Sequence, residues 1–122
     1  MSDPTTYPTV CPYLVVPDGD RVIDFLKAAF GAEEIQLHRA DDGRLRHAEL
    51  RLGTSVVMVG SSTSSHQAAL YLTVDDVDAA YARALAAGGT PEREPGNQDY
   101  GQRSAGVTDP GGNIWWLAGT LR

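Results

Sequence analysis

The sequence predicts an α+β fold: two tandem βαβββ modules whose strands form a curved mixed sheet around a cavity, with the helices on its outer face. Three observations predict it. The chain repeats itself at a constant shift of 58 residues. Each copy opens on a short β-branched run, an Asp-rich turn and an apolar stripe of helical period. Each copy then carries three further short segments separated by Gly-containing turns.

The repeat sets the organisation, since self-similarity at a fixed period marks a duplicated structural unit. At the shift of 58, Tyr13-Leu14-x-Val16-x-Asp18-x-Asp20 falls on Tyr71-Leu72-x-Val74-x-Asp76-x-Asp78, and Ala28-Ala29-x-Gly31 falls on Ala86-Ala87-x-Gly89. Gly43 meets Gly101 and Gly53 meets Gly111. The 122 residues therefore read as one domain, with module one at about 9–60, a linker at 61–66 and module two at about 67–119. The linker is small and polar and can bury nothing that would offset the entropy of ordering it, so its His66 reads as solvated.

Val10–Val16 and Ala69–Val74 read as the opening strands. Asp18 and Asp20, or Asp75, Asp76 and Asp78, then supply helix N-caps and negative charge at the positive end of the helix dipole. Val22, Phe25, Leu26, Ala29 and Phe30 form the first stripe, and Val77, Ala80, Tyr81, Ala84 and Leu85 the second. Gly31 and the pair Gly88-Gly89 stop the helices. Strands are expected next at Glu33–Ala40, Arg44–Leu52 and Ser55–Val59, and in module two at about Thr90–Glu94, Gln102–Thr108 and Asn113–Ala118. Asp41-Asp42-Gly43, Gly53-Thr54 and Asp109-Pro110-Gly111-Gly112-Asn113 are the turns. Gly111-Gly112 ends a hairpin rather than opening a helix, so it is no phosphate cradle.

Composition narrows the function classes. A formal net charge of −6 and a pI near 4.8 argue against a general nucleic-acid or anionic-membrane surface. No apolar run approaches the roughly 20 residues that span a bilayer. The polar start, Met1 to Pro8, predicts no secretory leader. With a single cysteine, Cys11, no internal disulfide can form, and a cytoplasmic location is expected.

Alternation along the strands assigns the faces. Leu14, Val16, Ala48, Leu50, Leu52, Val57 and Trp115 should lie against the helices. The cavity set is then Cys11, Tyr13, His47, Glu49, Met58, Tyr71 and Trp116, with Tyr100 and Arg103 added from the 96–103 loop. Aromatic walls with a few polar groups suit a small-molecule pocket. The same rings could instead fill a closed core or a dimer interface.

Tyr13-Leu14-Val15-Val16-Pro17-Asp18, Phe30-Gly31-Ala32-Glu33, His47-Ala48-Glu49-Leu50-Arg51-Leu52-Gly53, Val74-Asp75-Asp76-Val77-Asp78-Ala79 and Asp109-Pro110-Gly111-Gly112-Asn113 occur in that order. In this order the chain resembles the glyoxalase, bleomycin-resistance and extradiol-dioxygenase superfamily, also called vicinal oxygen chelate proteins. The likeness runs over nearly the whole chain and is nearest to the small bacterial glyoxalase-like members. It implies a divalent ion held by His and Glu from four strands, whose open positions chelate neighbouring oxygens. The four positions fall here on Cys11, Met58, Ala69 and Trp116, and the shift of 58 relates them in pairs. Alanine has no donor, an indole only donates a proton, and a thioether is a poor ligand for hard ions. The expectation is no metal and no cofactor.

His47 and Glu49, two apart on one strand face with His38 nearby, leave an alternative open. They could rebuild a metal site or pair as a base and its orienting partner, or they could be a polar cluster in which Arg46 or Arg51 satisfies Glu49. A Cys11–His47 nucleophile pair requires the two to meet within hydrogen-bond reach. The first functional expectation is a metal-independent protein that binds an apolar or aromatic ligand, as antibiotic-sequestering relatives do, with no assigned catalytic residue. The alternative is a glyoxalase-like lyase, isomerase or dioxygenase with a metal site rebuilt around His47 and Glu49. The resemblance also implies a homodimer in which a partner completes each cup; a structural dimer without a ligand is the third possibility.

Overall fold

The computed structural model describes residues 7–64 and 66–122, so the polar start at 1–6 and position 65 of the linker lie outside the described residues. In chain order the elements are β1 (Tyr13–Val16), α1 (Gly19–Phe30), β2 (Glu33–Arg39), β3 (Leu45–Leu52), β4 (Ser55–Ser61), β5 (Ala69–Thr73), α2 (Val77–Ala86), β6 (Thr90–Asn97), β7 (Arg103–Thr108) and β8 (Ile114–Gly119). This is βαβββ twice. The strands make two four-stranded mixed sheets, ordered β1-β4-β3-β2 and β5-β8-β7-β6. In each, the module's first strand runs parallel to its last, and the other pairs are antiparallel.

The helices begin and end where their capping chemistry dictates. Asp18 accepts the Arg21 N–H at 3.3 Å, and Asp76 accepts the Ala79 N–H at 3.1 Å, each satisfying a donor that the first turn leaves unpaired. Gly31 closes α1 in the left-handed conformation, φ 72°, which a β-carbon would oppose. In α2 the left-handed turn waits one residue longer, with Ala87 at φ −86° and Gly88 at φ 106°.

β4, expected to stop at Val59, runs on to Ser61, the first residue of the expected linker, and the two largest departures, in β1 and β6, both arise from proline. The expected strand from Val10 starts at Tyr13; Pro12 has no N–H for the ladder, although its carbonyl still accepts the Met58 N–H at 2.9 Å, and Val10 is left 81% exposed. The strand expected to stop at Glu94 continues to Asn97, because register irregularities between Pro91 and Arg93, and between Arg93 and Gly96, accommodate Pro91 and Pro95.

One core serves both modules. Leu14, Val16, Ala48, Leu50, Val57, Val59, Ala105, Val107, Trp115 and Leu117 turn inward and pack with Val22, Phe25, Leu26 and Ala29 of α1 and Val77, Ala80 and Ala84 of α2. Full burial of each large side chain here stabilises by about 1.5–3 kcal/mol. The Trp pair splits as alternation requires: Trp115 is buried, its ring 5.2 Å from that of Phe30, while Trp116 is half-buried on the opposite face.

The ends of the two β-hairpins beside the first strands are not equivalent. In module two the buried Asp109 carboxylate accepts the N–H groups of Gly111 and Asn113 and the Trp115 indole N–H, at 2.8, 3.0 and 2.9 Å. This folds Gly111 down onto Val16 and Val22 of module one, so closely that a β-carbon would lie 2.6 Å from Val16 Cγ1. Module one has only Gly53-Thr54 in the corresponding turn, and a β-carbon on Gly53 would touch nothing within 4 Å. A cleft of about 780 Å³ remains there, floored by Phe30, Leu52, Leu72 and Ala80 and edged by Asp75, Asp76 and Arg83.

Candidate functional site

The open face of each sheet, opposite the helices, presents one row of side chains built by strand register. In module one, Tyr13 pairs with Met58, Met58 with Glu49 and Glu49 with Gln36. In module two, Tyr71 pairs with Trp116, Trp116 with Gly106 and Gly106 with Arg93. Same-face neighbours across a ladder lie close enough to interact, so each row is a chemical unit.

In the first row a hydrogen-bonded chain joins side chains of β1 and β3 with the segment before β1. Tyr7 Oη donates to Glu49 Oε1 at 2.5 Å, His47 Nε2 lies 2.9 Å from Glu49 Oε2, and His47 Nδ1 lies 3.2 Å from Tyr13 Oη. The Tyr13 ring meets the His47 imidazole edge to face at 5.4 Å, and the His38 ring stacks with it at 6.5 Å. Glu49 is only 8% exposed. Burial alone would push its carboxyl up; the hydrogen bonds from Tyr7 and His47, and the His47 and His38 charges, outweigh burial and hold it below the usual glutamate range. Glu49 thus draws its partners from Tyr7 and His47 rather than from Arg46 or Arg51.

In the second row a small aromatic pocket forms. Tyr71, Arg93, Tyr100, Ser104 and Trp116 line a cavity of about 230 Å³. Gly106 makes it possible: a β-carbon there would lie 2.5 Å from Trp116 Cζ3, so glycine is what lets the indole lie flat on the neighbouring strand. The Arg93 guanidinium sits 4.8 Å over the indole and donates to Ser104 Oγ. Among the described residues no carboxylate ion-pairs with Arg93. Tyr71 Oη donates to Gln102, leaving its ring 60% exposed beside Tyr100, at 62%.

The expected cavity residues therefore divide. Tyr13, His47 and Glu49 join one chain, with Met58 between Tyr13 and Glu49 in the ladder. Tyr71, Tyr100 and Trp116 join the other site. Cys11 donates its thiol to the Pro8 carbonyl at 3.6 Å, while the His47 ring nitrogens are taken by Tyr13 and Glu49. Arg103 belongs to neither site: it pairs with Asp78 of α2 through Nε and Nη2 at 2.7 and 2.9 Å and holds that carboxyl below its usual range. Its neighbour Ser104 faces the pocket, so strand alternation sends Arg103 to the helix side. Tyr7, Arg93 and Ser104 were not anticipated. Arg93 carried a usable signal, since it lies in an expected strand at the register position of Gln36.

The metal that such a fold can carry does not fit these residues. The four positions hold a thiol bonded to a carbonyl, a thioether, a methyl group and an indole. Both nitrogens of His47 and both oxygens of Glu49 are engaged in the chain just described. Among the described residues no three His, Cys, Asp or Glu side chains converge. No helix among them is long and apolar enough to cross a membrane.

Known proteins share this sequence and architecture. Uncharacterized protein Mb0911c of Mycobacterium bovis is 36% identical over 129 aligned residues, covering 94% of this chain and 85% of that protein. Uncharacterized protein Rv0887c of Mycobacterium tuberculosis H37Rv is also 36% identical, over 94% of this chain and 76% of its own length. The crystal structure of TioX from Micromonospora sp. ML1 superposes with a TM-score of 0.80 at 26% identity, covering 95% of this chain and 99% of TioX. A glyoxalase/bleomycin resistance protein/dioxygenase family enzyme from Burkholderia phytofirmans PsJN gives 0.76 at 23% identity, over 91% and 97% of the two chains, a likeness of fold. With residues 7–117 matching its sequence pattern, the chain belongs to the Glyoxalase/Bleomycin resistance protein/Dioxygenase superfamily.

Proposed function

We propose that this protein binds an aromatic small molecule without a metal, seating one ring system of the ligand on the open face of module two. The observation that carries this reading is the pocket of Tyr71, Tyr100, Trp116, Arg93 and Ser104. At about 230 Å³ it is smaller than the roughly 300–1,000 Å³ of a site enclosing a whole drug-sized molecule, so it fits one planar group. Stacking on these rings contributes about 0.5–1.5 kcal/mol per aromatic contact beyond burial. Arg93, held over the indole and without a carboxylate partner among the described residues, favours a ring that bears an anionic or hydrogen-bond-accepting group.

The remainder of the ligand needs a second wall. Tyr13 is 51% exposed, and Tyr71 and Tyr100 more so, which leaves aromatic surface uncovered on both open faces. A homodimer that sets the open face of one copy against another would supply that wall. Capture of an aromatic antibiotic in the resulting cup is the physiological role in keeping with the family to which the chain belongs.

Intrinsic fluorescence tests the binding. Aromatic acids and polyaromatic natural products, titrated at micromolar concentration, are expected to quench the half-buried Trp116 saturably, and Trp116→Phe should abolish the signal while the buried Trp115 continues to emit. If no aromatic compound alters the emission, or if Trp116→Phe responds as the parent does, the assignment fails. Light scattering tests the dimer; a monomer at working concentration would remove the second wall.

A further inference from the structure

Module one holds a second arrangement that ligand binding in module two does not use. Glu49, ionised and nearly buried, accepts from the His47 Nε2–H at 2.9 Å and so fixes the proton of the neutral ring on that nitrogen. His47 Nδ1 is then the free lone pair, and it faces Tyr13 Oη at 3.2 Å. Tyr7 bonds the other Glu49 oxygen at 2.5 Å, which keeps the carboxylate from rotating away. Carboxylate, imidazole and hydroxyl in this order form the relay that turns a weak oxygen nucleophile into a reactive one. The hydroxyl at its end stands on the open face, on a residue that is 51% exposed.

We infer that Tyr13 is a base-activated phenol that accepts acyl groups from activated esters, with His47 as its base and Glu49 as the positioning residue. In the step, Tyr13 Oη attacks the ester carbonyl carbon while its proton passes to His47 Nδ1. The new bond joins Oη to the acyl carbon. The ester C–O bond breaks, and its electron pair leaves on the departing oxygen. The imidazolium, stabilised by Glu49, then returns its proton to the leaving group or to water. No oxidant, metal or cofactor enters the balance.

Tyr71 and Tyr100 provide an internal control, because both are more exposed than Tyr13 while their hydroxyls lie against Gln102 and Ser104, neither of which is a base. The full chain is treated with p-nitrophenyl acetate, p-nitrophenolate release is followed, and the acetylated peptides are located by mass spectrometry. Acetylation of Tyr13 is expected to run at least about a hundredfold faster than at Tyr71 or Tyr100, the lower edge of what a positioned base contributes. His47→Ala should remove that preference, and so should the nearly isosteric Glu49→Gln, which guards against misfolding of the first variant as judged by circular dichroism. Tyr13→Phe should lose the fast phase and leave the slow labelling of the other two tyrosines intact. Equal labelling of the three tyrosines, or a preference that survives in a folded His47→Ala, overturns the inference.

Discussion

The two open faces are built on one backbone plan and yet present opposite chemistry. Tyr13, Met58, Glu49 and Gln36 in one row stand where Tyr71, Trp116, Gly106 and Arg93 stand in the other. The tyrosine is common to both. The differences are coupled by volume: where the last strand carries the thin thioether of Met58, the next strand has room for a carboxylate, and where it carries the indole of Trp116, the next strand can carry nothing beyond hydrogen. One face is thereby a polar chain anchored on Glu49, and the other an aromatic slot. The rows share the tyrosine and differ at the other three positions, so exchanges matched across the ladder give one scaffold two chemically different faces.

The largest expected effect comes from forcing the second face toward the first. Gly106→Val places carbon where Trp116 Cζ3 lies within 2.5 Å of the new Cβ, so the indole must rotate out and Arg93 loses the ring beneath it. A cost of about 2–3 kcal/mol is expected from overpacking, together with loss of any ligand-dependent Trp116 quenching. Urea denaturation and the fluorescence titration check the two separately. A parent-like melt with parent-like quenching would show that the slot does not depend on glycine.

A second contrast between the modules lies at the hairpin ends. Gly111→Ala drives a β-carbon to 2.6 Å from Val16 and should cost about 2 kcal/mol, because the neighbour is a packed core side chain. Gly53→Ala meets no atom and should cost about 1 kcal/mol, from its positive φ alone. Thermal melts of the two variants compare a closed and an open contact directly. Equal losses would mean that the tight approach of the two modules relaxes without penalty.

Periodicity made the scaffold legible. Leu14 and Val16, Ala48 and Leu50, and Val57 and Trp115 all lie on the helix side that alternation assigned, and the Asp caps and Gly31 set the helix ends. The constant shift of 58 was less faithful at the sites. It holds for the first and last strands of each module, since Tyr13–Met58 and Tyr71–Trp116 pair alike. In the third strand the pairing moves by one, so that Leu50 opposite Val57 corresponds to Val107 opposite Trp115, and the longer 109–113 turn absorbs the difference. A one-residue slip left inside a strand would have turned every side chain to the wrong face, which is why the turn has to take it. Glu49 therefore corresponds to Gly106, a relation that the raw repeat hides. Tyr7 was out of reach for another reason: it meets Glu49 across 42 residues of sequence from a segment with no period of its own. Arg103 sits where the expected strand Gln102–Thr108 overlaps the 96–103 loop; grouping it with the loop put it in the cavity set, whereas as the first residue of β7 it alternates with Ser104 and turns to Asp78 of α2.

On the first face the test is acid. The Glu49 carboxyl titrates below its unfolded value, so as pH falls the unfolded chain takes up the proton first. Its contribution is complete above the ordinary glutamate range and is lost as pH drops through the lower folded value. Glu49→Gln should reduce stability at neutral pH by about 1–2 kcal/mol, through weaker bonds to Tyr7 and His47, and should flatten the acid limb. Urea melts at a series of pH values give both numbers. An acid limb that runs parallel to the parent's would remove Glu49 as its source.

The smallest effect expected is the most specific to the comparison. Trp116→Met gives the second row the thioether of the first while Gly106 stays in place, so that a volume once filled by indole opens without any new carboxylate to use it. Arg93 then loses a cation–π contact of about 0.5–1 kcal/mol at this half-exposed site, and the fold should lose little more than that. Reversal needs both members of the pair: Trp116→Met with Gly106→Glu should restore part of the stability lost by Gly106→Glu alone, because the thioether leaves the carboxylate space that the indole denies it. A double-mutant cycle read from urea melts measures this coupling, and a coupling energy of zero would mean that the two rows differ residue by residue rather than as matched pairs.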